Sequence, residues 1–311
     1  MFAYIVRRLL QGVVVLFLIT FFSFAMIQVA PGDPTELMLG EGALPLSAEQ
    51  RQAVLERWGI AGPWHEQYLP WLQNMATGNL GESIVRAGTP VDEMILDAAV
   101  PTLKLNLLAN GFAVLIAIPM GMIAAVKRYS VFDSVLMTAA SAGVALPVFW
   151  VALMSIIFFS LQLGWLPPFG SEGWKAYVLP VLALGLNEVA LLTRLMRGTM
   201  LEVLDQDYVT TARAKGLAEY TVIVRHASHN ALLPIITILG LRAGFLLSGT
   251  VVVEFIFAWP GIGRLFLDSV ARFDYQVVQA IVLVLTIFVL VANTVTDVLY
   301  ALVDPRIRMT K

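Results

Sequence analysis

Cysteine is absent from this 311-residue chain, which excludes a disulfide framework and a thiolate metal site. Charge is scarce as well: 14% of the residues are Asp, Glu, Lys or Arg, against roughly 25% in a soluble domain. The deficit is concentrated in long apolar runs, which points to an integral membrane protein rather than a soluble one with a large core. A formal net charge of -2 gives no guide to partners. The phosphate-cradling pattern G-x-x-x-x-G-K-[ST] is missing, so the chain cannot hold a nucleotide in the usual way. Serines are scattered without a nucleophile elbow or a partner His and Asp, and a membrane hydrolase finds no support. Neither a soluble repeat nor a low-complexity tract is present. Inverted repeats and a mid-membrane ion-binding cluster, which a secondary transporter driven by an ion gradient would need, are missing too.

What is present is hydrophobic: 59% of the residues. A helical crossing needs about 20 apolar residues, and by that measure the chain offers about six, at 9–30, 100–126, 134–161, 177–200, 231–257 and 277–303. The expected fold is therefore all-α and membrane-embedded. Arg7 and Arg8 ahead of the first run resemble the basic start of a signal peptide. The apolar run is longer than the usual 7–15 residues of such a peptide, and Pro31 suits no cleavage site, so an uncleaved first span is expected. Lys127, Arg128, Arg194, Arg197, Arg213, Lys215 and Arg225 fall on the same side as both termini. The positive-inside rule assigns that side to the cytoplasm.

Residues 31–98 form the one long extramembrane segment, opening on the turn cluster "PGDP". "SAEQRQAVLERWG" predicts a helix capped by Ser47 and Gly59, and "WHEQYLPWLQNM" a second, interrupted at Pro70. The segment suits a solvated cap on the bundle or a docking surface for an extracytoplasmic partner. Pro119, Pro147, Pro180 and Pro234 lie within spans, where the carbonyl freed by proline must find another partner. Near the end, "EFIFAWPGIGRLFLDSV" reads as a Pro-Gly turn and an amphipathic piece.

Between the fourth and fifth spans stands "DYVTTARAKGLAEYTVIVRHASHNALLP", polar and mildly basic. Asp207 to Lys215 predicts a short helix, Gly216 its left-handed cap, and Glu219 to Asn230 a second helix leading into the fifth span. Ala212 and Ala214 keep one face low enough for another protein's groove. Arg213, Lys215 and Arg225 can meet carboxylates or anionic lipid. A lipid-surface loop is the plainer reading. His226 and His229, three apart, have no convincing third ligand, so no metal site is expected.

This stretch resembles the cytoplasmic coupling loop of permease subunits of bacterial ABC importers, in the dipeptide, oligopeptide, glutathione and nickel branch. "YIVRRLL", "PGDP", "GWLPP", "VVVEFIFAWPGIGRL" and "DVLYALVDPRIR" match in order along nearly the whole chain. The resemblance implies the type I importer (MetI-like) fold with both termini cytoplasmic. It implies a first helix at 1–30, an extracytoplasmic region at 31–97, a core at 98–303 with its coupling loop at 204–230, and a tail at 304–311. It further implies that Thr211, Ala212, Arg213, Ala214, Lys215 and Gly216 dock on an ATPase subunit. ATP and Mg would sit on two such subunits and no cofactor on this chain, which is no enzyme. A second homologous permease and an extracytoplasmic solute-binding protein complete the implied partners, in the lipid bilayer of the inner membrane and without nucleic acid. The substrate class implied is peptides or peptide-like solutes such as glutathione, with nickel as an alternative. Where this chain has Thr210, His229, Lys104 and Arg242, the family tends to place Arg, a basic residue, an acid and Gln.

Charges inside the spans are costly in hydrocarbon and normally face a cavity or one another. Lys104, Glu188 and Arg242 are such charges. Glu188 and Arg242 are expected to pair internally, to meet the charged ends of a passing peptide, or to do each in different states.

Overall fold

A charge-poor run can satisfy its own peptide groups in hydrocarbon only by closing them into a helix. In the computed structural model, which describes residues 2–29, 47–57 and 63–303, the elements are accordingly helical, with one isolated bridge between Glu82 and Pro90. "PGDP", Gly59 and the 304–311 tail lie outside the described residues. Contacts divide the chain into two units, Met1–Pro101 with Pro260–Thr294, and Thr102–Trp259 with Val295–Lys311.

The first unit contains α1 (Phe2–Val29), α2 (Ala48–Arg57), α3 (Trp64–Ala76), the opening of α4 (Val91–Val126), α12 (Ile262–Ala271) and most of α13 (Tyr275–Val303). At the head of α2, Gln50 N donates to Ser47 Oγ at 3.2 Å and Ser47 N donates to Gln50 Oε1 at 3.0 Å. This reciprocal capping box confirms the expected start. α3 does not break at Pro70 as its sequence suggested: one helix runs through it. Pro70 is exposed and interrupts only one helical hydrogen bond, which this helix tolerates. Tyr68, Trp71, Phe17, Phe21 and Phe24 join α3 to α1 through a run of aromatic contacts. The loop before α4 is tied to the head of α13, where buried Asp274 accepts from Ser83 Oγ and from Ile84 N at 3.1 Å.

The second unit holds the rest of α4, α5 (Val131–Ala145), α6 (Val148–Gln162), α7 (Gly173–Leu204), α8 (Asp207–Ala214), α9 (Glu219–Ala231), α10 (Leu233–Ala243) and α11 (Val251–Ile256). The third expected span is two helices, α5 and α6, bent by 102°. Leu146 is held extended by the proline after it (ψ 126), and Pro147 starts the next helix. The fifth is shorter than the 231–257 run: α10 ends at Ala243, and turns closed by Ser248 N and Gly249 N on Phe245 O precede α11. Pro119 and Pro180 lie inside unbroken helices. By length and apolar content, three described helices can cross a membrane, or up to five if each bent pair counts as one span. The described apolar stretch of α1, Leu10–Ala25, is shorter than that test requires. The first of the six expected runs is therefore helical without meeting it.

α4 and α7 approach closely because two glycines leave room. A Cβ on Gly121 would stand 2.6 Å from Met196 Cβ, and one on Gly185 would stand 2.6 Å from Phe112 Cδ1. Around them Ala113, Ala117, Leu192, Met196, Met200, Val209 and Val222 form a buried apolar cluster.

Candidate functional site

The polar stretch after α7 folds as a helical hairpin, α8 then α9. Gly216 ends α8 at φ +77, the left-handed conformation its sequence called for. The second arm contains a π-helical segment, Val222–Ala227, a geometry frequent at functional sites. Val209 and Ala212, one turn apart, are buried in the cluster that includes Met200 and Val222. Thr211, Arg213, Ala214, Lys215 and Gly216 are exposed. Ala212 therefore faces this chain's own interior, and of the six residues 211–216 the other five are open to another molecule.

Across the turn Arg213 grips Glu219 in a two-pronged bridge, Nη2 to Oε1 at 2.7 Å and Nε to Oε2 at 3.1 Å. The Glu219 hydrogen bonds raise the pKa of the guanidinium above its ordinary value. Asn230 Nδ2 donates to Tyr208 Oη at 2.8 Å, closing the open end of the hairpin. Thr199 Oγ1 donates to Ala231 O at 3.0 Å, fastening the second arm to α7. The hairpin is thus braced at its tip, at its mouth and at its root. Beside it, Arg128 approaches Asp205 at 3.8 Å. His226 and His229 belong to no group of three metal-ligating side chains among the described residues.

A second site lies within the same unit. Glu188 on α7 and Arg242 on α10 form an ion pair, Oε1 to Nη1. They border a cavity of about 350 Å³ with Asn106, Asn110, Leu184 and Phe245. Asn106 and Asn110 were not singled out in the sequence. Uncharged amides in an apolar helix give little signal, although with Thr102 they recur every fourth residue along one face of α4. Lys104 is exposed and does not line this cavity.

Two further polar groups escaped the sequence reading. Glu254, in "VVVEFIFAWPG", is fully enclosed and accepts from Thr102 Oγ1 at 2.7 Å and Thr250 Oγ1 at 2.6 Å. Asp133 is nearly buried and accepts from Arg197 Nη2 at 2.6 Å and from Tyr129 N at 3.0 Å. The first was quoted only as part of a motif. The second joins residues 64 positions apart, beyond the reach of local pattern.

A family model described as binding-protein-dependent transport system inner membrane component matches residues 117–309. Another, describing the N-terminal part of such membrane components, matches residues 1–92. The chain is 43% identical over 317 residues to the oligopeptide transport system permease protein AppB of Bacillus subtilis strain 168, covering 99% of each. It is 39% identical over 308 residues to the glutathione transport system permease protein GsiC of Escherichia coli K12, again covering 99% of each.

Proposed function

Since the chain belongs to the binding-protein-dependent transport system inner membrane components, we propose that it is the permease subunit of an ATP-driven importer for di- and oligopeptides or peptide-like solutes such as glutathione. The observation that carries this is the braced hairpin α8–α9, which presents Thr211, Arg213, Ala214, Lys215 and Gly216 outward on a chain without a phosphate-cradling loop. Energy then has to come from partners. Two ATPase subunits dock on the hairpin, with Ala212 holding the exposed residues at the right height from within. A second, similar permease and an extracytoplasmic solute-binding protein complete the machine. Both termini and the hairpin face the cytoplasm of a bacterial inner membrane. Residues 1–30 form the first span, 31–97 the outer region, 98–303 the core with its coupling loop at 204–230, and 304–311 the inner tail.

Mechanism follows from rigidity. The Arg213–Glu219 bridge and the Thr199 contact oppose bending within the hairpin, so a push on its tip reaches α7 and α10 as displacement. Closure of the ATPases on ATP opens the bundle outward to receive solute from the binding protein, and hydrolysis resets it inward. No covalent bond forms to this chain. Lys104, Glu188 and Arg242 line the path, Lys104 apart from the cavity that the other two border.

Affinity purification of the solubilised chain from its native membrane tests the reading. ATPase subunits should co-purify, and Lys215→Glu should reduce their recovery; a chain that brings none down is no importer permease. For the path, transport by Arg242→Gln, Glu188→Gln and the double variant should differ from wild type. Unchanged transport in all three removes those residues from it.

A further inference from the structure

The cavity beside α4 holds more hydrogen-bonding capacity than its own ion pair uses. Glu188 gives Oε1 to Arg242, while Oε2 is shielded from solvent and has no hydrogen-bond partner among the described residues. Asn106 Nδ2 donates to Leu246 O at 2.7 Å and Thr102 O at 3.2 Å, and Asn110 Nδ2 donates to Asn106 O at 2.8 Å. Both N–H donors of Asn106 and one of the two on Asn110 are spent on these carbonyls, so each Oδ1 and the second Asn110 N–H are what the two amides can offer a solute. Glu188 and these two amides border the same cavity, and the Arg242 guanidinium stands beside Glu188. The Arg242 side chain is 39% exposed against 13% for Glu188, which makes the cation the accessible partner. An ammonium group carries three donors and no acceptor, and a carboxylate matches a guanidinium. The volume of about 350 Å³ falls within the roughly 300–1,000 Å³ of small-molecule sites.

We propose that this cavity recognises the zwitterionic ends of a small solute. Its ammonium group is received by Glu188 with Asn106 and Asn110, and its carboxylate by Arg242. The inference rests on the importer reading and goes beyond it by giving the membrane subunit a selectivity of its own. In the resting state the ion pair fills the site with its own two charges. A solute bearing the same two charges replaces both contacts, so no charge is stranded in a medium where an unpaired one is costly. A solute with one end blocked strands a protein charge and is disfavoured.

The absence of cysteine makes the test direct. Phe245→Cys places one thiol at the cavity, and Val131→Cys, where the native residue is 80% exposed, serves as a distant control. The assembled complex in lipid nanodiscs is treated with a small methanethiosulfonate, and the mass of this subunit reports labelling. Dialanine, its N-acetyl form and its C-amide are the probes. Dialanine should slow labelling at the cavity and not at the control, and each blocked form should need about tenfold more for equal protection. Glu188→Gln should abolish the distinction between dialanine and the N-acetyl form, and Arg242→Gln that between dialanine and the amide. Equal protection by all three probes, or protection by none, overturns the site if the complex keeps its ATPase subunits and imports peptide. Should either variant fail to assemble, the three probes on the otherwise unaltered complex decide alone. Failure of the ATPases to co-purify would instead defeat the importer reading itself.

Discussion

Glu254 has no access to solvent, and both threonine hydroxyls around it spend their hydrogen bonds on one of its oxygens. Deleting the carboxyl group leaves buried donors without that acceptor, a loss of about 1–3 kcal/mol. Glu254→Ala should therefore lower the unfolding temperature of the detergent-solubilised chain, and Thr250→Val should lower it less, both read by thermal denaturation. A single span charge with a single span partner could be anticipated: Glu188 and Arg242 are rare in their surroundings, and rarity in hydrocarbon forces a pairing. Glu254 and Asp133 obey the same rule, yet their partners are hydroxyls of ordinary appearance and an arginine 64 positions away. Thr250 is only four positions from Glu254, but Thr102 and Arg197 lie far along the chain from the carboxylates they meet. The inward face of Ala212 was hidden for a different reason. Small size alone fits an exposed groove and a packed interior equally, and only the turn it shares with buried Val209 decides between them.

Helices were legible where composition left one solution, and their breaks were not. Proline gives one sequence signal and two outcomes at three positions: a bend of 102° at Pro147, and an unbroken helix at Pro180 and at Pro70. Glycine is more decisive because the space around it can be measured. At Gly121 an added Cβ meets Met196 Cβ at 2.6 Å and Thr193 O at 2.8 Å, neither of which can move alone. At Gly198 nothing lies within 4 Å. Gly121→Ala should therefore destabilise the chain by about 1–3 kcal/mol through overpacking, whereas Gly198→Ala should stabilise α7 by about 0.5–1 kcal/mol. Thermal denaturation of the two variants side by side checks the difference. Gly216 separates space from conformation: room exists for a side chain, but φ is +77. Gly216→Ala should cost about 1–2 kcal/mol locally. Its expected phenotype is weaker ATPase recovery with the unfolding temperature of the chain nearly kept.

At the scale of the molecule, the importer architecture could be read from the order of separate blocks along the chain, and the matches covering 99% of AppB and GsiC agree with it. The two units follow different logic. One relies on aromatic contacts between α1 and α3 and on the Asp274 tie; the other is an apolar bundle with a few enclosed polar groups. A proposed foot on the second unit can work only if a nucleotide-hydrolysing neighbour stands on it. Crosslinking from a single Lys215→Cys in the native membrane, with the attached peptide identified by mass, tests this most directly. The account expects the attached peptide to come from a subunit carrying G-x-x-x-x-G-K-[ST], with a yield that changes when ATP is added. A thiol that reacts freely with soluble reagent or lipid, and joins no such subunit in either condition, would contradict it.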